Sequence, residues 1–177
     1  MIRVSTVTGV THLGAGTANE SFEHFVREHC TQLVQSLSLI VLDPELAADA
    51  AQDAFVKLYQ RWDTVGELED PVAWLYRVAL NRCSDYRRRL LRRTRLLERL
   101  RGESNAQAFT IQESSNFDVE RAFRALPIRQ RTAATLFYLA DFKTEEVARA
   151  MGVSKGTVDR HLNRAREALR ASLEAHR

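Results

Sequence analysis

The sequence predicts an all-α protein made of two small helical domains joined by a flexible linker. Gly and Pro are scarce, at 7 and 3 of 177 residues, and apolar residues recur every three or four positions instead of alternating as in a β-strand. Charge is also segregated along the chain. We expect a loose arm over 1–18, a first domain over 19–101, a linker over 102–118 and a second domain over 119–177.

Four blocks of opposite charge divide the chain. Residues 1–70 hold 4 basic and 11 acidic residues, and residues 71–101 hold 10 and 2. Residues 102–118 hold no basic and 3 acidic residues, whereas residues 119–177 hold 12 and 7. The two basic blocks predict two contacts with nucleic acid. The acidic first block favours protein over nucleic acid as a partner.

Composition limits the classes of protein that the chain can belong to. No apolar run reaches about 18 residues and no secretory signal pattern is present, so we expect a cytoplasmic protein without membrane insertion. Cys30 and Cys83 lack a CxxC neighbour and are expected to be reduced thiols. Cys30 follows His29, but one adjacent pair cannot supply the ligands of a metal site, so neither a metal nor a cofactor is predicted.

Two helices are predicted before the first acidic loop. From about Asn19, apolar residues follow one helical stripe that consists of Phe22, Phe25, Val26, His29, Leu33, Leu37 and Ile40. Asp43 is a helix cap and Pro44 suits the first helical position. The second helix is therefore predicted to run from this cap to about Trp62.

The next helix is predicted to begin after an acidic loop over 63–70, where Asp70 and Pro71 repeat the cap and the proline start. Its apolar stripe consists of Val72, Leu75, Ala79, Cys83, Tyr86 and Leu90. Its polar stripe consists of Arg77, Asn81, Asp85, Arg88 and Arg92. Arginine forks grip phosphates and aromatic rings stack on unpaired bases, so this helix favours nucleic acid over a merely solvated face. Its aromatic residues are Trp74, Tyr76 and Tyr86.

The second domain is predicted to contain a helix-turn-helix over 143–166. Thr144 is the expected cap of the first helix, Gly152 stops that helix, and Ser154 caps the second. Val158, six residues after the glycine, plugs the gap between the two helices. This spacing favours DNA binding over an ordinary helical hairpin.

The last helix has one apolar stripe and one polar face. The polar face consists of Lys155, Thr157, Arg160, Asn163 and Arg164. In a helix-turn-helix this face enters the major groove of DNA, although a solvated basic face would give a similar pattern. Two shorter helices, which begin near Phe117 and at Pro127, are expected to pack under the helix-turn-helix and fix its angle.

Three stretches together resemble a sigma factor of bacterial RNA polymerase, of the extracytoplasmic-function type. The segment 47–55 with Trp62 is similar to the family's polymerase-clamp helix, and the segment 74–88 is similar to the helix that opens and reads the promoter −10 element. The segment 125–166 is similar to the domain that reads the −35 element. The resemblance covers nearly everything after residue 19, and the order of the segments also matches the family.

The resemblance implies a non-catalytic subunit that directs core RNA polymerase to promoters. It implies that the polymerase clamp binds Asp49, Gln52, Asp53 and Phe55. It implies −10 DNA contacts by Trp74, Arg77, Asn81, Asp85, Arg88 and Arg92. It implies −35 DNA contacts by Lys155, Thr157, Asp159, Arg160, Asn163 and Arg164. Core polymerase and promoter DNA are then the partners, and family members are often held inactive by an anti-sigma factor.

The recognition helix departs from the family pattern. Asp159, Arg160 and His161 stand where the family commonly has Lys, Ser and Arg. A carboxylate near the helix start is repelled by phosphates unless it has a specific role. Asp159 can accept a hydrogen bond from a cytosine amino group, or it can pair with Lys155 or Asn163 and orient them toward DNA.

Two other classes of protein fit parts of the sequence. A free-standing repressor or activator that binds DNA as a dimer explains the helix-turn-helix but not the basic block after residue 71. A DNA recombinase is disfavoured, because the sequence contains no carboxylate cluster and no nucleophile with an organised base. The sequence therefore favours a sigma factor, and it predicts no catalytic residue.

Overall fold

A computed structural model of the chain describes residues 13–101 and 117–174. These two ranges contain eight helices and no strand, which confirms the predicted all-α class. The helices are α1 (Leu13–Val41), α2 (Pro44–Tyr59), α3 (Trp62–Val65), α4 (Pro71–Arg101), α5 (Phe117–Ala125), α6 (Ile128–Tyr138), α7 (Thr144–Met151) and α8 (Lys155–Glu174). Helices α1–α4 form the first set and α5–α8 form the second set.

The first helix begins earlier than the sequence predicted. It starts at Leu13, whereas the apolar stripe predicted a start near Asn19 and a loose arm over 1–18. A helix that is anchored by a buried stripe extends at little cost, because each added residue gains one backbone hydrogen bond. The predicted arm therefore ends inside a helix, and residues 1–12 lie outside the described ranges.

The start of α2 follows the predicted chemistry, but its end does not. The side chain of Asp43 accepts a hydrogen bond from the Leu46 amide at 3.0 Å, which confirms the cap. The helix ends at Tyr59 instead of Trp62. Trp62 begins the short helix α3, whose other residues lie in the segment predicted as a loop. The centroid of its ring lies 5.2 Å from that of Phe25 and 5.4 Å from that of Phe22.

Helix α4 extends beyond the end of α2, which packs along it. Its cap is confirmed, since Asp70 Oδ1 accepts from the Ala73 amide at 2.8 Å. It has 31 residues, whereas α2 has 16. The predicted apolar stripe is buried as far as Cys83, but Tyr86 and Leu90 are 47% and 44% exposed. The second half of the stripe therefore faces solvent, which the periodicity could not reveal.

The helix-turn-helix is formed by α7 and α8. Gly152 adopts the left-handed conformation with φ 64° and ends α7, and Ser154 Oγ accepts from the Thr157 amide at 3.3 Å. The prediction that Thr144 caps α7 is wrong, because Thr144 is already helical. Glu146 instead accepts from the Lys143 amide at 2.6 Å and satisfies the helix start.

The two sets of helices share one hydrophobic core. Helix α7 packs on α4, and α6 packs on α1. One cluster of buried side chains runs through both sets, and its fully buried members include Leu33, Leu37, Tyr76, Leu136 and Val147. A smaller cluster under α8 contains Phe123, Leu126, Ala134 and Ala165. The two predicted domains are thus in direct contact, while residues 102–116 of the predicted linker lie outside the described ranges.

No helix within 13–101 or 117–174 is long and apolar enough to cross a membrane.

Candidate functional site

The outer face of α2 carries the residues that were predicted to bind polymerase. Asp49 and Gln52 are exposed. Asp53 Oδ2 forms an ion pair with Arg82 Nε at 2.5 Å, so this carboxylate is tied to α4. Phe55 is only 9% exposed and belongs to the core. Phe55 follows Ala51 by four residues on the buried stripe and lines the groove between α1 and α2, so its part in polymerase binding stays a prediction.

An apolar groove lies beside that face, between α1 and α2. It has a volume of about 630 Å³, and its wall on α1 consists of Phe22, Val26, Cys30 and Val34. On α2 the groove is bordered by Val56 and Tyr59, which are 51% and 59% exposed. Exposed apolar and aromatic side chains around a groove are typical of a protein-binding surface.

The polar face of α4 is exposed as predicted. Its members are Arg77, Asn81, Asp85, Arg88 and Arg92. Trp74 is half-buried against the core. Tyr76 was expected to offer its ring to nucleic acid, but it is fully buried and donates its hydroxyl to Ser36 Oγ at 3.2 Å. Among the three aromatic residues of α4 only Tyr86 is well exposed.

A cleft of about 460 Å³ separates this face from the second set of helices. Asn81, Asp85 and Arg88 lie on its α4 wall. The opposite wall comes from α6 and α7 and consists of Ile128, Arg129, Thr132, Ala150 and Met151. Arg88 donates to Asp85 at 3.4 Å across one helical turn. Three residues predicted for one DNA contact therefore meet in a single cleft.

The outer face of α8 is polar and its inner face is apolar. The exposed residues are Lys155, Asp159, Arg160, Asn163 and Arg164. Thr157 is half-buried, with its hydroxyl 2.9 Å from Ser154 Oγ. Val158 and Leu162 are buried on the opposite side, as the plug position predicted. The predicted −35 residues thus lie on one helix face, apart from Thr157 at its start.

Lys155 and Asn163, the two residues with which Asp159 could pair, have other hydrogen-bond partners in the structure. Lys155 Nζ donates to Glu145 on α7 at 2.5 Å instead, and Asn163 Oδ1 accepts from Arg166 Nη1 at 3.1 Å. The hydrogen bond between Glu145 and Lys155 lowers the pKa of the carboxyl and raises the pKa of the amine. Both side chains are solvated, so this pair orients Lys155 more than it stabilises the fold.

His161 on α8 was noted in the sequence only as a departure from the family pattern. It is half-buried, and its Nδ1 atom is buried without a hydrogen-bond partner among residues 13–101 and 117–174. Burial lowers the pKa of its imidazole, and the charges of Arg129, Arg164 and Arg160 lower it further. The neutral imidazole is therefore favoured in the folded protein.

The cysteines are both free thiols, as predicted. Burial raises the pKa of the Cys83 thiol to about 11, so the thiolate is scarce at neutral pH. Burial also lowers the pKa of His29, partly offset by the charge of Glu28. In the part of the chain that the structure describes, no three His, Cys, Asp or Glu residues are grouped in a way that could hold a metal ion.

Contacts between the two sets of helices could not be predicted from the sequence. Arg149 donates from Nε and Nη2 to Asp70 Oδ2, at 2.9 and 2.6 Å. The rings of Tyr76 and Phe142 meet edge to face, with centroids 4.9 Å apart. Periodicity cannot predict such contacts, because it assigns a face to each helix and no partner to that face.

Comparisons with known proteins agree with this arrangement. The sigma-70 region 2 family model matches residues 25–94, and the sigma-70 region 4 model matches residues 116–169. The chain is 33% identical over 159 residues to the RNA polymerase sigma-E factor of Streptomyces avermitilis. The aligned residues cover 87% of this chain and 86% of that protein. It is 30% identical over 150 residues to the ECF RNA polymerase sigma factor SigM of Mycobacterium tuberculosis. The aligned residues cover 84% of this chain and 75% of SigM.

Solved structures with the same fold are also known. The sigma factor RpoE from Bartonella quintana, solved with the anti-sigma factor NepR, has a TM-score of 0.69 at 23% identity and covers 89% of this chain and 99% of its own. CnrH, solved with the cytosolic domain of CnrY, has a TM-score of 0.62 at 27% identity and covers 91% and 94%.

A chain that is helical in its described ranges and matches both sigma-70 regions is a sigma factor of RNA polymerase. Within that class the chain belongs to the extracytoplasmic-function family of sigma factors. It directs core RNA polymerase to promoters, and a free-standing repressor or activator is not favoured.

Proposed function

We propose that the two sets of helices divide the work of promoter recognition. Residues 19–101 bind core polymerase and the −10 element, residues 102–118 connect the two domains, and residues 119–177 bind the −35 element. The observation that carries this assignment is the pair of exposed, arginine-rich faces on α4 and α8, one in each sigma-70 region. Phosphate contacts from such faces supply most of the affinity for DNA.

Polymerase binding is assigned to the outer face of α2 and the groove beside it. Asp49 and Gln52 supply exposed polar contacts, and Val56 and Tyr59 supply apolar ones. Asp53 contributes its charge while it remains bonded to Arg82. Phe55 contributes indirectly, because its buried ring fixes the position of the helix that carries the contacts.

Melted −10 DNA is assigned to the exposed face of α4. Arg77, Arg88 and Arg92 are placed to contact phosphates, and Asn81 can donate to and accept from a base edge. Asp85 orients Arg88 through their 3.4 Å contact. Trp74 is half-buried, so it offers one edge of its ring to a base. Base unstacking costs a few kcal/mol and is offset by such contacts.

Duplex −35 DNA is assigned to the outer face of α8. Lys155, Arg160 and Arg164 contact phosphates or base edges, while Asn163 and Asp159 read base edges in the major groove. Thr157 lies at the helix start with its hydroxyl next to Ser154, so it orders the turn that approaches the DNA backbone. The buried residues Val158 and Leu162 on the inner face hold the outer face at a fixed angle.

The membership of the chain in the sigma factor family supports a role as a non-enzymatic subunit of the polymerase. We place it in the cytoplasm, where bacterial RNA polymerase transcribes the genome. The sigma factor RpoE from Bartonella quintana, which has the same fold, is bound to the anti-sigma factor NepR, and CnrH is bound to the cytosolic domain of CnrY. An anti-sigma factor is therefore also proposed as a partner of this chain, on the strength of that likeness.

Transcription with purified core polymerase tests the proposal. A pool of genomic promoter fragments is transcribed with core enzyme alone and with core enzyme plus this chain. We expect a defined subset of promoters to be transcribed only when the chain is present, from start sites downstream of shared −35 and −10 sequences. Identical transcripts with and without the chain would contradict the proposal. Binding of a palindromic operator by a dimer, without polymerase, would support the repressor instead.

A further inference from the structure

An arginine on α8 joins a tyrosine of α6 to the asparagine that is assigned to base reading. Arg166 Nε donates to the Tyr138 hydroxyl at 2.6 Å, and Arg166 Nη1 donates to Asn163 Oδ1 at 3.1 Å. Both nitrogens belong to one planar guanidinium, so a single rigid group fixes both neighbours. The position of Tyr138 is thereby coupled to the orientation of the Asn163 amide.

The ring of Tyr138 is itself held by a neighbour. It meets the ring of Phe137 edge to face, with centroids 5.0 Å apart, and Phe137 packs against the hydrophobic core. Tyr138 remains 45% exposed, so its hydroxyl is at the surface where Arg166 reaches it. A ring anchored on the core therefore gives Arg166 a fixed acceptor, which limits the rotamers that this long side chain would otherwise sample.

The chemistry of arginine fixes which way the Asn163 amide points. A guanidinium can only donate hydrogen bonds, so the amide atom that faces Arg166 has to be the oxygen and not the nitrogen. The nitrogen Nδ2, with its two N–H groups, is left for another partner. An amino group that approached the same oxygen would have to share it with a cation that already donates to it. Asn163 is exposed on the outer face of α8, and it therefore presents a donor to its surroundings.

We propose that Tyr138 and Arg166 are positioning residues that make Asn163 a reader of keto bases in the −35 element. Guanine and thymine each present a keto oxygen in the major groove, which accepts from Nδ2, whereas adenine and cytosine present an amino group there. An asparagine whose oxygen is free favours adenine, because it accepts from N6 while it donates to N7. The inference rests on the function proposed above for the outer face of α8.

Selection from a promoter pool with a randomised −35 element measures the base preference of each variant. The full chain is mixed with core polymerase, and the bound templates are sequenced. Asn163→Ala identifies the position that Asn163 reads, as the position where a preference for guanine or thymine is lost. At that position we expect Arg166→Ala to lower the ratio of keto to amino bases by about fivefold to tenfold, the effect of one net hydrogen bond, with adenine gaining most.

Tyr138→Phe isolates the contribution of the tyrosine. Phenylalanine keeps the ring that packs on Phe137 and removes only the hydroxyl that Arg166 bonds. We expect adenine to gain at the same position by a smaller factor, because Arg166 can still reach Asn163 but is no longer fixed. In an Asn163→Ala background neither Tyr138→Phe nor Arg166→Ala should alter the preference there, since both act through the amide.

Arg170→Ala is the matched control for the loss of charge. Arg170 is exposed and follows Asn163 by seven residues, which places it about 10 Å further along the same side of α8. Its replacement removes one positive charge from the helix and leaves the contact between Arg166 and Asn163 in place. We expect at most a uniform loss of affinity across −35 sequences and a smaller salt dependence, with the base preference unchanged.

The hydrogen bond to Tyr138 is also measured without DNA or polymerase. Nuclear magnetic resonance of the full chain follows the exchange of the Arg166 Nε proton with water. We expect Tyr138→Phe to speed this exchange, because the proton loses its acceptor. Asn163→Ala should change it less, since Asn163 bonds a different nitrogen of the same group. An exchange rate that Tyr138→Phe leaves unchanged would overturn the positioning role of the tyrosine.

The outcomes separate this inference from the proposed function. Relaxed preference in Arg166→Ala and Tyr138→Phe, at the Asn163 position and not in Arg170→Ala, would support it. An adenine preference at that position in the unmodified chain would overturn it. So would an Arg166→Ala variant that binds every −35 sequence more weakly with its preference intact, which would assign Arg166 to phosphate contact. If the unmodified chain selected no −35 sequence, the proposed function would fall and base reading with it, while proton exchange would still report whether Tyr138 holds Arg166.

Discussion

The Nε atom of Arg131 donates to the carbonyl oxygen of Ile40 over 2.9 Å and joins helices whose residues lie 91 positions apart. Ile40 is in the last turn of α1, where carbonyls have no partner within the helix. The same guanidinium donates to the Arg124 and Leu126 carbonyls at the end of α5, at 2.8 and 3.3 Å. One buried cation therefore satisfies the ends of two helices from different sets, where the helix dipole also favours positive charge.

Replacement of Arg131 by alanine should destabilise the fold, because three buried or half-buried carbonyls lose their donor. We expect a loss of about 3 kcal/mol in the free energy of unfolding, measured by chemical denaturation. Arg129→Ala, two residues away and exposed, is the control and should change it by less than about 0.5 kcal/mol. Equal effects of the two changes would mean that the carbonyl contacts contribute little.

Reversal of charge at Asp53 should weaken the binding of core polymerase, since the acidic face of α2 is assigned to that contact. Asp53→Arg also breaks the bond to Arg82, so Arg82→Ala is the matched control for that loss. We expect Asp53→Arg to reduce polymerase recovery in a pull-down far more than Arg82→Ala does. Equal recovery from both variants would assign Asp53 to the fold and not to the interface.

Replacement of Asn81 by alanine should impair promoter opening. Its amide lies in the cleft beside α4, where it can bond a base edge that duplex DNA hides. We expect Asn81→Ala to lower open-complex formation on duplex promoters more than on templates with a pre-melted −10 bubble. Asn163→Ala, on α8, should lower both equally. A variant that opens duplex promoters normally would remove Asn81 from the site.

Replacement of Asp159 by lysine tests direct reading of the −35 element. Because Lys155 is held by Glu145, the exposed Asp159 carboxylate is expected to accept from a cytosine amino group. Asp159→Lys should then change the preferred base at one −35 position by about 1–3 kcal/mol, measured by selection of −35 variants with both proteins. A change in affinity and salt dependence with the preference intact would instead indicate a general electrostatic role.

Mild acid should destabilise the fold through His161. The pKa of this imidazole is lowered from its ordinary value of 6.5 by burial and by three arginines, so below pH 6.5 the unfolded state binds the proton more readily. The free energy of unfolding therefore falls as pH decreases from 6.5 to the folded-state pKa, where the loss levels off. His161→Gln should flatten this fall in denaturation experiments at pH 7.5 and 5.5. An unchanged slope would assign the effect to His29, whose pKa is lowered in the same direction.

Local chemistry could be predicted from the sequence because it depends on neighbours along the chain. The caps at Asp43 and Asp70, the turn at Gly152 and the plug at Val158 each need residues within a few positions. Helix ends were less predictable, as the early start at Leu13 shows, because a packed helix extends until its hydrogen bonds or contacts end.

The contacts between distant segments could not be predicted, since a stripe identifies a buried face without its partner. Tyr76 lies within an arginine-rich helix, and composition alone suggested that its ring was available to bases. It is fully buried because α7 and the residue Phe142 before it cover that side of α4. The ion pair of Asp53 with Arg82 was missed for the same reason. The assignment of residues to polymerase and DNA remains a prediction.

The two oxygens of Asp70 have separate tasks, since Oδ1 caps α4 and Oδ2 holds Arg149. Serine, threonine or asparagine would serve the first task about as well, but none of them carries the charge that the second requires. Selection for helix stability alone would thus let this position drift among four residue types. If selection also acts on how the two halves of the molecule meet, aspartate at position 70 and arginine at position 149 should be conserved together in related sequences.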